Sequence, residues 1–478
     1  MNKYIFMGRR TLLIVFSALA LSLASFAGTP DNMQVWLKNG EQRVFDINQV
    51  DSVTFGVTQQ QEYQPLTENT LPPTFAAPNP LKLSEQELAY VKSTNEFGKK
   101  CYNILRTTQD ADGNPMAVYF FSPISLNIAL GFCANGATDE GIKEVTDALG
   151  FHSANALDDM NNFFQKIYLS LNSGVDSVTV RTANALWLNE RSVANMDFVE
   201  TAKEKYYATV RNLDFMKDPG GSKDTIDHWA ALMTNDCIKN LGIKIDGYTR
   251  LVINNACYFK GDWVTKFTPL GKMVFNGATD ASDSTDFMII RDEQLEYSEN
   301  EYYQAIKLDY GTEANKPSAR WGGQNSATPS AYSMVVVLPK DGHKLDEVLP
   351  TIQWDSIPFR YRKGDIYMPK FKTMGGYPLD HILKELNIED MFKLGHYPNV
   401  ILNEKNIFIQ QVQQDYFINV DEEGTEAAAV TSIVGAGGAV MTSFFMNCNR
   451  PFAFAIRENT TGLLLFMGEY NSVPKAEN

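Results

Sequence analysis

The chain of 478 residues can bury a large hydrophobic core, because 44% of its residues are hydrophobic and 12% are aromatic. This length exceeds the usual size of one domain, so we expect one large domain with a small appendage. The formal net charge of −15 argues against a nucleic-acid or anionic-membrane partner, since both require a basic surface.

The amino terminus is typical of a secretion signal. Lys3, Arg9 and Arg10 precede an apolar run at residues 12–24, and Ser25 and Ala27 occupy the small-residue positions of a cleavage site. About thirteen apolar residues are too few for a membrane anchor, which needs roughly twenty. The pattern predicts a signal peptide at residues 1–27 and a soluble mature protein, secreted to the periplasm or the extracellular space.

A small β module is predicted at residues 28–56. Met33 to Leu37 alternate between apolar and polar residues, Asn39-Gly40 is a strong hairpin turn, and Val44-Phe45 resumes the apolar pattern, as does Val53 with Phe55. The module is too small to be stable without help. It could dock on the main domain or on a surface partner, or it could be an inert spacer.

The rest of the chain is predicted to be a linker followed by the large domain. Residues 57–84 are rich in Gln, Thr, Pro and Asn, as linkers are, and the large domain then spans 85–478. Within it, residues 311–331 are polar and rich in small residues, so they predict a surface loop in which Trp321 is the one candidate anchor.

The sequence holds no recognisable catalytic or metal-binding motif. The five cysteines are dispersed without a C-x-x-C pair, which favours buried free thiols over a disulfide framework or a metal site. There is no H-E-x-x-H or G-x-S-x-G motif and no phosphate-binding glycine loop. We therefore expect no enzyme activity, metal or cofactor, and a structural or surface role for the histidines, of which His228 and His381 fall in helical patterns.

A run of very small residues follows an apolar strand that ends at Val420. It reads EEGTEAAAVTS from Glu422. A glycine-rich Gly-Ala-Gly-Gly segment, which favours a flexible backbone, separates it from the next apolar strand at Phe444. On spacing alone, a helical turn or a disordered linker is as good an interpretation as a segment that can enter a β-sheet. The exposed segment is predicted at about residues 422–446.

The order of several motifs resembles the serpin family of serine protease inhibitors. The small-residue run resembles the family's hinge, and the C-terminal Asn449-Arg450-Pro451-Phe452 its end signature. Further similar segments cover about residues 85–472: Phe121-Ser122-Pro123-Ile124-Ser125, Ala183-Asn184-Ala185-Leu186-Trp187, a helix predicted to start at Trp229 with Thr234, Ile238 and Leu241, the strand from Val252 to Trp263, Ser333 to Pro339, Met368-Pro369-Lys370-Phe371 and Leu386-Asn387-Ile388.

The resemblance implies the serpin fold, an α+β architecture with a large central mixed β-sheet, two smaller sheets, eight or nine helices and an exposed reactive-centre loop. It also implies a suicide-substrate inhibitor whose cleaved loop inserts as a new strand into the central sheet and drags the acylated protease along. We expect this inhibitor to be secreted and of bacterial origin. The hinge residues carried over are Glu422, Gly424, Thr425, Ala427, Ala428, Ala429 and Thr431. Thr425, Ala427, Ala429 and Thr431 would share the face that becomes buried, which small side chains permit and charged ones do not.

The resemblance also assigns residues that control sheet opening. Ser122, Ser125 and Asn255 match the family's shutter, a polar cluster under the place where the sheet opens, and Trp263 matches the tryptophan of the breach at the sheet top. Gln414 stands where the family usually has a shutter histidine. An amide can keep the hydrogen bond but does not titrate near neutral pH.

The sequence gives two candidate positions for the scissile bond. Counting from the hinge gives Gly438-Ala439 and counting back from Pro451 gives Val440-Met441, and we favour cleavage after Val440. No Lys or Arg lies between Gly424 and Asn449, which makes trypsin-like targets unfavourable, while the small aliphatic residues suit elastase-like or subtilisin-like proteases and leave papain-like cysteine proteases open.

Residues 160–173, which match the family's heparin-binding helix, hold one lysine, so we expect no heparin activation. We expect a monomer. Two alternatives stay open: a noninhibitory serpin acting as carrier or chaperone, and a surface-binding protein that depends on residues 33–56.

Overall fold

The computed structural model describes residues 81–109, 113–173, 177–279, 282–316, 328–425 and 444–475 in full, and the backbone of three short strands nearer the amino terminus. The chain divides into two compact units, residues 1–64 and 65–478.

The first unit contains a three-stranded antiparallel sheet. Its strands are β1 (Leu13–Ile14), which lies within the predicted signal peptide, β2 (Asn32–Trp36) and β3 (Gln42–Asp46). β2 pairs with β3 in the register Met33↔Phe45, so these two strands form where the alternating pattern predicts them. The predicted turn at Asn39-Gly40 and the pair Val53 and Phe55 lie outside the described residues.

The second unit contains eight α-helices among the described residues. They are α1 (Glu85–Leu105), α2 (Pro123–Ala134), α3 (Asp139–Leu149), α4 (Ala156–Leu171), α5 (Met196–Tyr206), α6 (Pro219–Met233), α7 (Leu345–Val348) and α8 (Asp380–Glu385).

Fifteen strands of the second unit belong to two sheets. They are β4 (Val118–Phe121), β5 (Val178–Asn189), β6 (Thr209–Leu213), β7 (Leu251–Asp262), β8 (Thr268–Asn276), β9 (Ser282–Glu299), β10 (Tyr303–Tyr310), β11 (Tyr332–Pro339), β12 (Arg360–Pro369), β13 (Phe371–Pro378), β14 (Gln413–Val420), β15 (Gly424–Thr425), β16 (Phe444–Asn447), β17 (Phe452–Glu458) and β18 (Leu464–Tyr470).

The six-stranded sheet has the order β13-β14-β15-β7-β5-β6 and is mixed, because β5 and β6 are parallel and the other neighbours are antiparallel. The nine-stranded sheet follows the path β16-β12-β9-β10-β11-β17-β18-β4, with β8 paired to β9. The 18-residue strand β9 pairs with β8, β10 and β12, so the two smaller sheets expected beside the large one are continuous in this chain. The α+β architecture is confirmed.

Helix α2 is the centre of the core behind the six-stranded sheet. Ser122 caps it by accepting a hydrogen bond from the Ser125 N–H, and Pro123 takes the first helical position, where a missing N–H costs nothing. Every residue of α2 is buried, including the polar Ser125 and Asn127. The helix thereby brings Ser122 and Ser125 under the sheet.

The prediction of a helix that starts at Trp229 is wrong. Trp229 lies near the end of α6, which stops at Met233, and the chain beyond Thr234 is not helical. The left-handed backbone of Asn235 and Asp236 ends the helix, and the Thr234 hydroxyl accepts a hydrogen bond from the Ile238 N–H. Ile238 and Leu241 then pack against the sheet from a non-helical segment. An apolar period of three to four residues fits both arrangements.

Three other expectations can be compared with the structure. Cys101, Cys133, Cys257 and Cys448 are buried free thiols and Cys237 is partly exposed. His228 lies in α6 and His381 in α8, as predicted. The loop after Tyr310 leads through a short 3-10 turn, and Trp321 lies outside the described residues.

Within the described part of the chain, no helix is long and apolar enough to cross a membrane, and no cluster of ligating side chains could hold a metal ion.

Candidate functional site

The start of the hinge forms a tight turn that leads from β14 into β15. The Asp421 N–H donates to the Gly424 carbonyl at 2.9 Å, and the Asp421 carboxylate accepts from the N–H groups of Glu423 at 3.0 Å and Gly424 at 3.3 Å. Burial raises the pKa of this carboxyl above its usual range, although the two backbone bonds favour its charged form. The turn reverses the chain so that β15 runs antiparallel to β14.

Strand β15 lies between β14 and β7. Thr425 pairs with Val420 on one side and with Gly261 on the other, and Gly424 pairs with Asp262. A Cβ on Gly424 would collide with the Gly261 carbonyl oxygen, and a Cβ on Gly261 would lie 2.7 Å from the Tyr310 ring. Glycine at 424 lets the two backbones come this close, and glycine at 261 leaves room for the Tyr310 ring.

Two aromatic residues, Tyr310 and Trp263, hold the hinge where it enters the sheet. Thr425 is 2% exposed, and its hydroxyl hydrogen-bonds the Tyr310 hydroxyl at 2.8 Å. The Trp263 ring stacks on Tyr310 with centroids 4.4 Å apart, and its indole N–H donates to the Asp421 carbonyl at 2.9 Å. Trp263 therefore holds the turn while Tyr310 holds Thr425.

The two glutamates of the turn are paired with lysines on opposite sides. Glu422 lies 2.9 Å from the Lys370 ammonium group, and Glu423 pairs with Lys266, whose pKa is raised by this hydrogen bond. The backbone carbonyls of the same glutamates accept hydrogen bonds from the N–H groups of Phe267 and Trp263. The entry to the sheet is thus fixed by main-chain and ionic contacts together.

Beneath the sheet, Gln414 on β14 is fastened to the start of α2. Its side-chain carbonyl accepts from the Ser122 N–H at 2.8 Å, and its amide group donates to the Ser122 carbonyl at 3.0 Å. The Ser122 hydroxyl in turn donates to the Leu465 carbonyl at 2.7 Å. An amide satisfies both backbone groups at once because it carries a donor and an acceptor.

The neighbouring strand β7 is fastened to the same helix through Asn255. The Ser125 hydroxyl donates to the Asn255 side chain, whose amide group donates to Asn184 on β5 at 2.9 Å. Burial raises the pKa of the Cys257 thiol, which hydrogen-bonds both Ser122 and Ser125. The amino-terminal end of α2 therefore ties together the two strands, β14 and β7, between which β15 begins.

The sequence comparison decides which family this arrangement represents. The family profile described as Serpin (serine protease inhibitor) matches residues 92–473, which is most of the chain. The chain belongs to the serpin family.

Curated relatives and solved serpins agree with this assignment. Iripin-1 of Ixodes ricinus is 28% identical and covers 80% of this chain and 94% of its own length, and a serpin-like protein of Thermococcus kodakarensis is 30% identical, covering 80% and 85%. Tengpin, a thermophilic serpin in its native state, superposes with a TM-score of 0.68 at 24% identity, covering 83% of this chain and 97% of tengpin. The family consists of protease inhibitors rather than catalysts, so the expectation that this serpin is not an enzyme is confirmed.

The structure brings together every described residue that the sequence assigned to the serpin site. Glu422, Gly424 and Thr425 lie at the sheet entry with Trp263, and Ser122, Ser125, Asn255 and Gln414 meet at the start of α2. Outside the described residues lie Ala427, Ala428, Ala429, Thr431, Gly438, Ala439, Val440 and Met441.

Three residues of the site were missed by sequence reasoning: Tyr310, Asp421 and Gly261. Tyr310 is 115 positions from its partner Thr425, so no local pattern could connect the two. Asp421 and Gly261 carried a signal, since an Asp three residues before a Gly is a common turn pattern and a Gly inside an apolar strand often marks a close backbone approach.

Proposed function

We propose that this serpin is a suicide-substrate inhibitor that traps a serine protease, or a papain-like cysteine protease, as a covalent acyl complex. The observation that carries the proposal is the pairing of Gly424 and Thr425 between β14 and β7. The first residues of the hinge occupy the position and direction that a full new strand would take.

The register defines where the rest of such a strand would go. With Thr425 opposite Gly261 and antiparallel to β7, the strand could extend for roughly ten further residues before reaching Leu251, the first residue of β7. The residues that would follow Thr425 are mostly Ala, Val, Thr and Ser, which fit between packed strands.

Insertion would be driven by new backbone hydrogen bonds and resisted by the contacts that hold the sheet closed. Roughly ten ladder bonds at about 1 kcal/mol each favour the inserted state. Before cleavage the loop is tethered at both ends, and a kinetic barrier preserves the native state. Separating β14 from β7 must loosen either the bonds of Gln414 to Ser122 or the bond of Ser125 to Asn255, so these bonds contribute to that barrier.

The chemistry belongs to the target protease. Its serine or cysteine attacks the scissile carbonyl of the loop, the peptide bond breaks, and the new amine leaves on the C-terminal segment while the loop stays as an ester or thioester. Trapping requires insertion to be faster than hydrolysis of this bond. We assign the scissile bond to Val440-Met441, with Gly438-Ala439 as the other candidate, and infer elastase-like or subtilisin-like targets from the aliphatic side chains.

The site of action follows from the amino terminus. We propose that residues 1–27 are removed on secretion and that the mature protein acts outside the cytoplasm as a monomer. The bacterial origin expected for it stays a prediction, since the relatives named above come from a tick and an archaeon. Intact mass of the secreted form, with Gly28 as its first residue, is the corresponding measurement.

The decisive experiment mixes the mature protein with pancreatic elastase, subtilisin and papain and resolves the products by denaturing electrophoresis and mass spectrometry. We expect at least one enzyme to give a band that survives denaturation, at the summed mass less the released fragment 441–478. Elastase with its serine blocked should give no such band. Clean loop cleavage by all three enzymes, each remaining active, would overturn the proposal.

Thr425→Arg is the variant that tests whether trapping depends on insertion of the hinge. It places a charge at a position that is 2% exposed, so the loop should still be cleaved while insertion fails and the protease escapes. The control is Thr268→Arg, a change at an exposed residue on β8, which should leave trapping unchanged.

A further inference from the structure

Strand β16, which follows the loop, is anchored at the edge of the nine-stranded sheet. It is the last strand on its side of the sheet among the described residues, and it pairs in parallel with β12 from Gly364↔Phe444 to Tyr367↔Asn447. The buried Phe444 ring stacks on Tyr297 with centroids 4.4 Å apart, and a Cβ on Gly364 would collide with Phe444. The chain is therefore fixed in place from the first residue of β16.

This anchoring turns the Phe445 side chain outward. Phe444 and Met446 are buried, so the residue between them faces away from the core, and Phe445 is 55% exposed. The Gln304 amide group donates to the Phe445 carbonyl at 3.0 Å and so holds its backbone. The Phe445 ring centroid lies 5.2 Å from that of the partly buried Tyr367, which the strand register places on the same face. These two rings form an exposed aromatic patch.

The charged groups beside the aromatic patch are bound to one another. Asp365 lies opposite Phe445 on β12, and its carboxylate accepts a hydrogen bond from the Asp292 N–H at 2.9 Å. The Asp292 carboxylate lies 2.9 Å from the Lys363 ammonium group. An aromatic centre with a polar border is typical of the surfaces through which proteins bind one another.

The sequence places the aromatic patch close to the favoured scissile bond. Phe445 is five positions after Val440, and an extended chain of that length spans at most about 18 Å. A protein–protein interface of standard size buries about 800 Å² on each partner, which corresponds to a disc of about 16 Å radius. A protease bound at Val440-Met441 therefore reaches the aromatic patch on the leaving-group side of its cleft.

We propose that the aromatic patch of Phe445 and Tyr367 is a docking surface for the target protease, which contacts it through an apolar area beside the leaving-group end of its cleft. The proposal rests on the inhibitory function proposed above and adds a determinant of target choice outside the residues around the scissile bond.

The docking contact belongs to the encounter before cleavage. β16 lies in the segment 441–478, whereas the acylated protease is carried by the segment that ends at Val440. Insertion of the loop therefore takes the protease away from the aromatic patch. The patch raises the rate of association and has no part in holding the covalent complex.

The test measures docking without cleavage. Pancreatic elastase, subtilisin and papain, each with its nucleophile replaced by alanine, are titrated against the mature protein, and the affinity is measured for every enzyme that the wild-type protein binds. Phe445→Ala should weaken this binding about tenfold, as truncation of an aromatic anchor does. Phe445→Tyr, which keeps the ring, should bind like wild type.

The active enzymes give a second readout. Phe445→Ala should lower the association rate by a similar factor and leave the stoichiometry of inhibition unchanged, because trapping and hydrolysis compete only after cleavage. The control is Tyr248→Ala, which removes a ring that is 81% exposed beyond Leu251, at the end of β7 opposite to the hinge. It should bind the inactive enzymes like wild type.

The outcomes separate the docking role from the inhibitory function. Equal affinities of Phe445→Ala and wild type would overturn the docking role and leave the inhibitory function intact. Docking that depends on Phe445, without a denaturation-resistant band from any active enzyme, would support the docking role and contradict the inhibitory function. A wild-type protein that binds none of the three inactive enzymes would contradict both.

Discussion

At the scale of single residues, Gly424 is the position where the structure leaves least room. Gly424→Val would drive a branched side chain into the Gly261 carbonyl, so we expect the hinge to leave the sheet. Overpacking of this kind costs about 1–3 kcal/mol. Chemical denaturation should show that loss, and more inhibitor should be consumed for each protease trapped.

The control for this prediction is Gly220→Ala in α6, because a Cβ there meets nothing within 4 Å. It should leave the stoichiometry of inhibition unchanged and should not lower the free energy of unfolding, since Gly→Ala at an unstrained helical position is stabilising. A Gly424→Val protein as stable and as efficient as wild type would show that the pairing of β15 is not required.

For Thr425, the face of the strand was predictable from the sequence but the hydrogen-bond partner was not. Thr425 was expected on the face that becomes buried and is 2% exposed, because the two-residue period of a strand is a local property. That Tyr310 would hydrogen-bond Thr425 depends on the folding of a distant strand end, which no local pattern encodes.

At the scale of elements, the two strands that must separate are both tied to the start of α2. Gln414→Ala would remove both hydrogen bonds to the Ser122 backbone. The buried Ser122 N–H would lose its partner, while the Ser122 carbonyl would keep the Leu126 N–H. We expect a loss of about 1–3 kcal/mol in the free energy of unfolding and faster spontaneous conversion to a noninhibitory, loop-inserted form. Urea unfolding and the decay of inhibitory activity at raised temperature measure the two effects.

Gln294→Ala is the control, because this glutamine is an exposed amide on β9, outside the six-stranded sheet. It should leave the hydrogen bonds to Ser122 in place and the decay rate close to that of wild type. Equal decay rates in the Gln414 and Gln294 variants would contradict a role for Gln414 in holding the sheet closed.

Several elements were predictable, and the exceptions have physical causes. β5, β7 and α2 form where the resemblance to the family's motifs places them, and β11 spans the similar segment from Ser333 to Pro339. The segment beyond Thr234 was expected to be helical but is not, because Asn235 and Asp236 take left-handed backbone conformations and tertiary packing decides between two arrangements with the same apolar spacing. The joining of two sheets through β9 depends on pairing between distant strands, which the sequence of β9 alone does not specify.

At the scale of the whole molecule, inhibition by loop insertion requires a native state that is less stable than the loop-inserted state. Among the described residues, only Gly424 and Thr425 lie paired between β7 and β14. The free energy gained on insertion belongs to the complete sheet and cannot be assigned to one residue.

The most direct measurement compares thermal unfolding of the intact protein with that of the same protein after its loop is cut by a trace of protease. If cleavage allows the loop to insert, roughly ten new ladder bonds should raise the unfolding temperature by about 10 °C or more. Thr425→Arg should lose most of that increase. An unfolding temperature that stays the same or falls after cleavage in the wild-type protein would contradict the account.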